Sequence, residues 1–188
     1  MTITLRPHQQ RGLDAMLSSA IGQIIVPTGG GKTLIAIMDA MRRFSINVPR
    51  TIVVVAPRIL LAEQLSSEYL EHITNANVLH VHSGETHHFI TTKSDRIKLF
   101  VDMCQTVREH VIIFTTYNSL GRVMESGINV CVFTSDKADQ KHEQQQANGM
   151  GKKEAVRDLG GQGTRRTHEQ QLYLVSVVGP ASEKEARK

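Results

Sequence analysis

The chain has 188 residues, with 22 Lys and Arg against 18 Asp and Glu and a formal charge of +4. That length suits one domain with a sizeable core and an appended tail. The modest charge permits a nucleic-acid partner without demanding one. Its two cysteines, Cys104 and Cys131, have no metal-ligand spacing and make no disulfide framework, so free thiols in a reducing, cytoplasmic setting are expected. Met1 to Pro7 does not read as a signal peptide, and no apolar run reaches membrane-spanning length.

The pattern predicts a helix over 6–17, with Pro7 suited to its first turn, and then a short strand over 23–26. Next comes Val26-Pro27-Thr28-Gly29-Gly30-Gly31-Lys32-Thr33, and after it Leu34, Ile35, Ile37, Met38 and Met41 recur at helical spacing. Strand, glycine turn and helix in that order form the context of a phosphate-binding loop. Successive glycines let backbone N–H groups curl round a phosphate where a Cβ would clash. The following helix start adds free N–H groups and a positive dipole end. Lys32 would carry its charge to the β- and γ-phosphates of a bound ligand, and the Thr33 hydroxyl would ligate Mg²⁺. A plain glycine turn is the bland alternative, and Val26 stands where the commonest form of the loop has glycine.

Further along, 51–56 is a β-branched run typical of a strand buried on both faces, and 59–69 has helical period. A strand at 78–81, a helix at 97–107, a strand at 111–114, a short helix to 125 and a strand beginning near 129 follow. This alternation predicts an α/β fold with a parallel sheet covered by helices on both faces. Ligands then gather at the carboxyl ends of the strands, which the glycine loop, Pro57-Arg58, Ser83-Gly84 and Thr115-Thr116 all follow.

Four segments in this order resemble the first motor domain of superfamily 2 helicases and translocases, of the DEAD/DEAH-like kind. Pro27 to Thr33 matches motif I, and Leu5-Arg6-Pro7-His8-Gln9 is similar to the segment that recognises adenine. Ala56-Pro57-Arg58, with Leu61 and Gln64, resembles motif Ia, and Thr115-Thr116-Tyr117-Asn118-Ser119-Leu120 a later motif that contacts nucleic acid. The branch looks closest to restriction-enzyme motor subunits and repair or phage recombination helicases. The resemblance implies a RecA-like P-loop NTPase domain that binds ATP and Mg²⁺ and acts on nucleic acid, expected to be DNA.

It makes Gln9 the adenine reader and leaves Arg6 to stack on the purine, with Thr28, Gly29, Gly30, Gly31, Lys32 and Thr33 on the phosphates. It places Pro57, Arg58, Ser83, Gly84, Thr115, Thr116 and Tyr117 along the nucleic acid, in contacts that ignore base sequence.

The family pattern stops after the strand near Val130. An Asp-Glu-Ala-His or Asp-Glu-Ala-Asp box is expected there, but the chain reads Thr134-Ser135-Asp136-Lys137-Ala138-Asp139. Lys137 occupies the glutamate position, and an ammonium cannot act as the water-activating base, a loss of about 10²- to 10⁴-fold. Asp136 is left as the one residue for a metal and catalytic role beside Lys32 and Thr33, against the reading of a solvated loop.

From 134 to 188 the chain reads as a polar, poorly ordered tail with a late strand at 172–178, following an incomplete RecA-like domain at 1–133. A change of reading frame near Val130 would account for the lost periodicity. A second motor domain would then have to act in trans. The expected function is the ATP-binding N-terminal half of a nucleic-acid-dependent ATPase, truncated before its acidic box. Alternatives are a non-catalytic nucleotide- or DNA-binding module and, behind it, a small-molecule P-loop kinase.

His80, His82, His87 and His88 crowd one region, with His80 and His82 on one strand face. No Cys or carboxylate in the sequence pattern completes a metal set with them, so polar residues at a strand end are the expectation. Ser83 beside His82 lacks a nucleophile elbow.

Overall fold

The computed structural model describes residues 3–19, 21–27, 29–137 and 170–177. The elements run α1 (Pro7–Ser18), β1 (Ile21–Pro27), α2 (Lys32–Phe44), β2 (Thr51–Ala56), α3 (Ile59–Leu70) and β3 (Ala76–Val81), then β4 (Phe89–Ile90), α4 (Ser94–Thr106), β5 (His110–Thr116), α5 (Tyr117–Glu125), β6 (Val132–Lys137) and β7 (Gln170–Val177). The sheet order is β1-β7-β6-β2-β5-β3-β4. From β6 to β4 every pairing is parallel. β7 is antiparallel to both of its neighbours, β1 and β6.

Alternation along the strands sorts the core into two layers. Ile52, Val54 and Ala56 of β2, with Ile112 and Phe114 of β5, pack under α1, α2 and α3. Val53 and Val55, with Val111 and Ile113, pack under Ile97, Val101 and Cys104 of α4 and Val123 of α5. Helices therefore cover both faces, and β2 and β5 are buried along their whole lengths. This is the α/β, RecA-like architecture that the sequence predicts.

The boundaries differ locally. α4 starts three residues early, where Lys93 is extended and its N–H donates to Thr91 Oγ1 at 3.2 Å. β4 is two residues long, too short to leave a periodic signal. β6 runs across the expected domain boundary at 133. The late strand is present as β7, but inside the sheet, between β1 and β6. The polar stretches 138–169 and 178–188 lie outside the described residues, as does Thr28. Among the described residues, no helix is long and apolar enough to cross a membrane, and both cysteines are free.

Candidate nucleotide and nucleic-acid site

The register places the predicted site residues along one edge of the sheet. Ala56 pairs with Thr116, and Thr115 with Val81, so Pro57, Tyr117 and His82 leave their strands side by side. Val55 pairs with Ser135, bringing the end of β6 to the same edge. Pro27 pairs with Gln170 and Lys137 with Leu172 on β7, so β1 delivers the glycine loop there as well.

Each loop glycine answers a different constraint. Gly29 and Gly31 have φ of 75° and 78°, in the left-handed region. Gly30 has an ordinary φ but no room: a Cβ would lie 2.4 Å from Val26 Cγ1 and 2.9 Å from the Pro27 carbonyl oxygen. The Gly30 N–H donates to that carbonyl at 2.8 Å, closing the turn. Gly31 caps α2 with no side-chain oxygen, and the first helical bond runs from Ile35 N–H to Gly31 O at 3.2 Å. The amides of Lys32, Thr33 and Leu34 therefore have no carbonyl partner within the helix. A concave backbone, a helix start and half-buried Lys32 and Thr33 meet at one place. This donor set suits a polyanionic phosphate chain.

The start of α1 braces the loop. The Arg6 N–H donates to Gln9 Oε1 at 2.8 Å, capping the helix. Gln9 Nε2 donates to the Gly30 carbonyl at 3.1 Å, and His8 Nε2 lies 2.9 Å from the same oxygen. Gln9 is 5% exposed. Its amide supports the loop in this arrangement and keeps one further donor and one further acceptor position. Beside it, α1 and β1 enclose an open cleft of about 690 Å³, lined among others by Arg6, His8, Arg11, Gly29 and Gly30. Sequence reasoning did not single out Arg11. Helical spacing from His8 would have placed it on this face.

On the other predicted surface, Arg58 is exposed at the start of α3. Gly84 packs against Ile59, the next residue: a Cβ there would lie 2.7 Å from Ile59 Cγ2. Exposed Ser83 and Arg58 are thus neighbours through Gly84 and Ile59. Thr115 is different, being fully buried with its hydroxyl donating to the Val81 carbonyl at 2.9 Å. It ties β5 to β3 and presents no free face. Thr116 is buried to 6% exposure at the start of α5, with its hydroxyl donating to Ser119 Oγ at 3.3 Å. The half-buried Tyr117 hydroxyl bonds to Ser135 Oγ at the end of β6. Asp136 is the next residue on that strand; its backbone pairs with Tyr173, and its side chain lies outside the described residues.

No curated protein matches the sequence. Among solved structures, the fold is similar to a nuclease-deletion mutant of the Type ISP restriction-modification enzyme LlaGI in complex with a DNA substrate mimic. The TM-score is 0.59 at 20% identity, over 66% of this chain and 14% of that one. It is also similar to the ATP-dependent Type ISP restriction-modification enzyme LlaBIII bound to DNA, with a TM-score of 0.56 at 18% identity, over 68% of this chain and 9% of that one. The chain thus spans a small part of either enzyme. Residues 2–156 match the family model described as the type III restriction enzyme, res subunit. The chain belongs to that family, as a partial superfamily 2 motor domain.

Proposed function

We propose that the chain is the ATP-binding half of a nucleic-acid-dependent ATPase of the helicase kind, acting on DNA inside the cell. One observation carries this reading. The glycine loop and the uncapped start of α2, with Lys32 and Thr33, lie on the sheet edge that also carries Arg58, Ser83, Thr116 and Tyr117. A nucleotide and a nucleic-acid strand held on one edge can exchange binding energy through the strands between them.

In this reading the loop amides of Gly29 and Gly31 and the first amides of α2 hold the β- and γ-phosphates, while the Gly30 amide keeps the turn closed. Lys32 adds a point charge, and Thr33 supplies a ligand for Mg²⁺, which would neutralise the phosphate oxygens. Arg6 stacks on the purine in the cleft that His8 and Arg11 also line, and Gln9, buried beside that cleft, reads its edge with the remaining amide capacity. Arg58 pairs with a backbone phosphate, helped by the Ser83 hydroxyl. Pro57 and Gly84 shape that surface, and Thr115 supports it from within the sheet. A second motor domain that completes the nucleotide site belongs to the same proposal.

A second reading, a nucleotide- and DNA-binding module without turnover, has its own support. Strand β6, one strand removed from β1 across β7, ends Ser135-Asp136-Lys137, without the glutamate that would activate water. Phosphate release from MgATP, with and without single- or double-stranded DNA, separates the two. DNA-stimulated release that is lost in Lys32→Ala supports the motor reading and makes Asp136 the first carboxylate to test. Binding without release supports the module. Phosphate transfer to a small acceptor, unaffected by DNA, would contradict both and favour a kinase.

A further inference from the structure

β3 and α3 form a second constellation, separate from the glycine loop. His80 of β3 and His82, one residue past its end, both lie on the side of α3, where they are 0% and 1% exposed. There they meet Glu63 of α3, which the sequence pattern did not connect to them. Glu63 Oε1 lies 3.2 Å from His80 Nδ1 and 3.2 Å from His82 Nε2, and those two nitrogens are 3.0 Å apart. Glu63 Oε1 is buried against the two rings.

Three atoms able to offer lone pairs thus converge on one point. Ligand atoms sharing a tetrahedral ion with bonds of about 2.0–2.1 Å stand about 3.3 Å from one another, close to this triangle. The outer atoms of all three side chains are held as well. His80 Nε2 lies 3.1 Å from Ser66 Oγ, and the Thr86 hydroxyl donates to Glu63 Oε2 at 3.0 Å. The Gly84 N–H donates to His82 Nδ1 at 3.2 Å. Such outer contacts orient metal ligands.

We propose that Glu63, His80 and His82 form a binding site for a divalent transition metal of the zinc class, with solvent as the fourth ligand. Two imidazoles and one carboxylate suit such an ion, whereas Mg²⁺ and Ca²⁺ take oxygen ligands. The bound ion staples β3 to α3 directly behind Arg58 and Ser83. It has a distinctive consequence at Gly84. In the metal-free chain the Gly84 N–H contact leaves the His82 proton on Nε2, inside the triangle. Coordination at Nε2 displaces that proton, which returns to Nδ1 through solvent, and the Gly84 amide must turn away.

The test is titration of the full chain with Zn²⁺ against a chromophoric chelator, repeated with Co²⁺ for its visible bands and followed by the Gly84 amide resonance. The expected result is one ion per chain, tetrahedral Co²⁺ absorption and a shifted Gly84 signal. Glu63→Gln and His82→Gln should each weaken binding at least tenfold, while His87→Gln leaves it unchanged. Glu63 is 30% exposed, so Glu63→Gln remains informative even where a buried histidine variant fails to fold. No stoichiometric binding, or binding that Glu63→Gln leaves intact with Gly84 unmoved, overturns the site.

Discussion

The glycine-loop corner and the β2–β5–β3 block carry the two halves of the proposed function, and they are built in opposite ways. At the corner, backbone conformation decides. Gly29 and Gly31 occupy the left-handed region, Gly30 fits against Val26 with no room for a Cβ, and the helix start is left uncapped. In the block, side-chain burial decides: β2 and β5 are covered on both faces, and even the Thr115 hydroxyl is engaged within the sheet. The corner therefore trades stability for open donors. The block supplies a rigid edge on which a few residues, such as Arg58 and Ser83, remain free to contact a partner.

If that contrast is right, damage to the block should cost folding and damage to the corner should cost binding. Phe114→Ala should be the most severe change. Phe114 is fully buried, edge-on to Tyr69 and stacked on His80. Its truncation should lower stability by about 3–5 kcal/mol in denaturant unfolding.

Gly31→Ala should cost only about 1–2 kcal/mol in backbone strain. It should nevertheless weaken MgATP binding at least tenfold, because the new Cβ would lie 2.2 Å from Gln9 Nε2 and drive apart the loop and α1. Calorimetric titration alongside thermal unfolding separates the two effects.

A third test probes the block by pH. Burial lowers the pKa of His110, the nearby Arg50 cation adds to this, and a contact with the Phe44 backbone opposes it. The native state therefore disfavours the charged ring. The unfolded chain takes up the proton first, so stability should fall as pH drops below the ordinary value of 6.5. One such group contributes at most about 1.4 kcal/mol per pH unit. His110→Gln should make the stability profile less steep between pH 7 and 5, with buried His80 and His82 supplying the remaining slope.

The smallest effect on folding belongs to Arg58→Ala, within about 0.5 kcal/mol. On DNA it should weaken binding regardless of sequence and reduce the salt slope by about 1.

The same contrast explains what could be read from the chain. The corner follows local rules: a β-branched strand, three glycines and a periodic helix are adjacent in sequence, so loop and role are read together. The β2 and β5 strands were legible for a similar reason, as continuous apolar runs. The fate of individual edge residues was not. Thr115 and Thr116 look alike in sequence, yet the pairing of Thr115 with Val81 turns its hydroxyl inward. Glu63 lies 17 residues from His80 and on another element, so the Glu63–His80–His82 cluster arises only once α3 packs on β3. Gln9 was legible as a site residue, but its contact with the Gly30 carbonyl depends on how α1 meets the loop. β7 was expected in a tail; nothing in its sequence indicates a slot between β1 and β6.

The central claim is that the corner formed by the glycine loop, α1 and α2 is a nucleotide site. Equilibrium MgATP binding by the wild type and by Lys32→Ala tests it most directly. The account predicts saturable, Mg²⁺-dependent binding by the wild type that Lys32→Ala abolishes while the fold is retained. Equal binding by the two proteins, or none by a folded wild type, would contradict it.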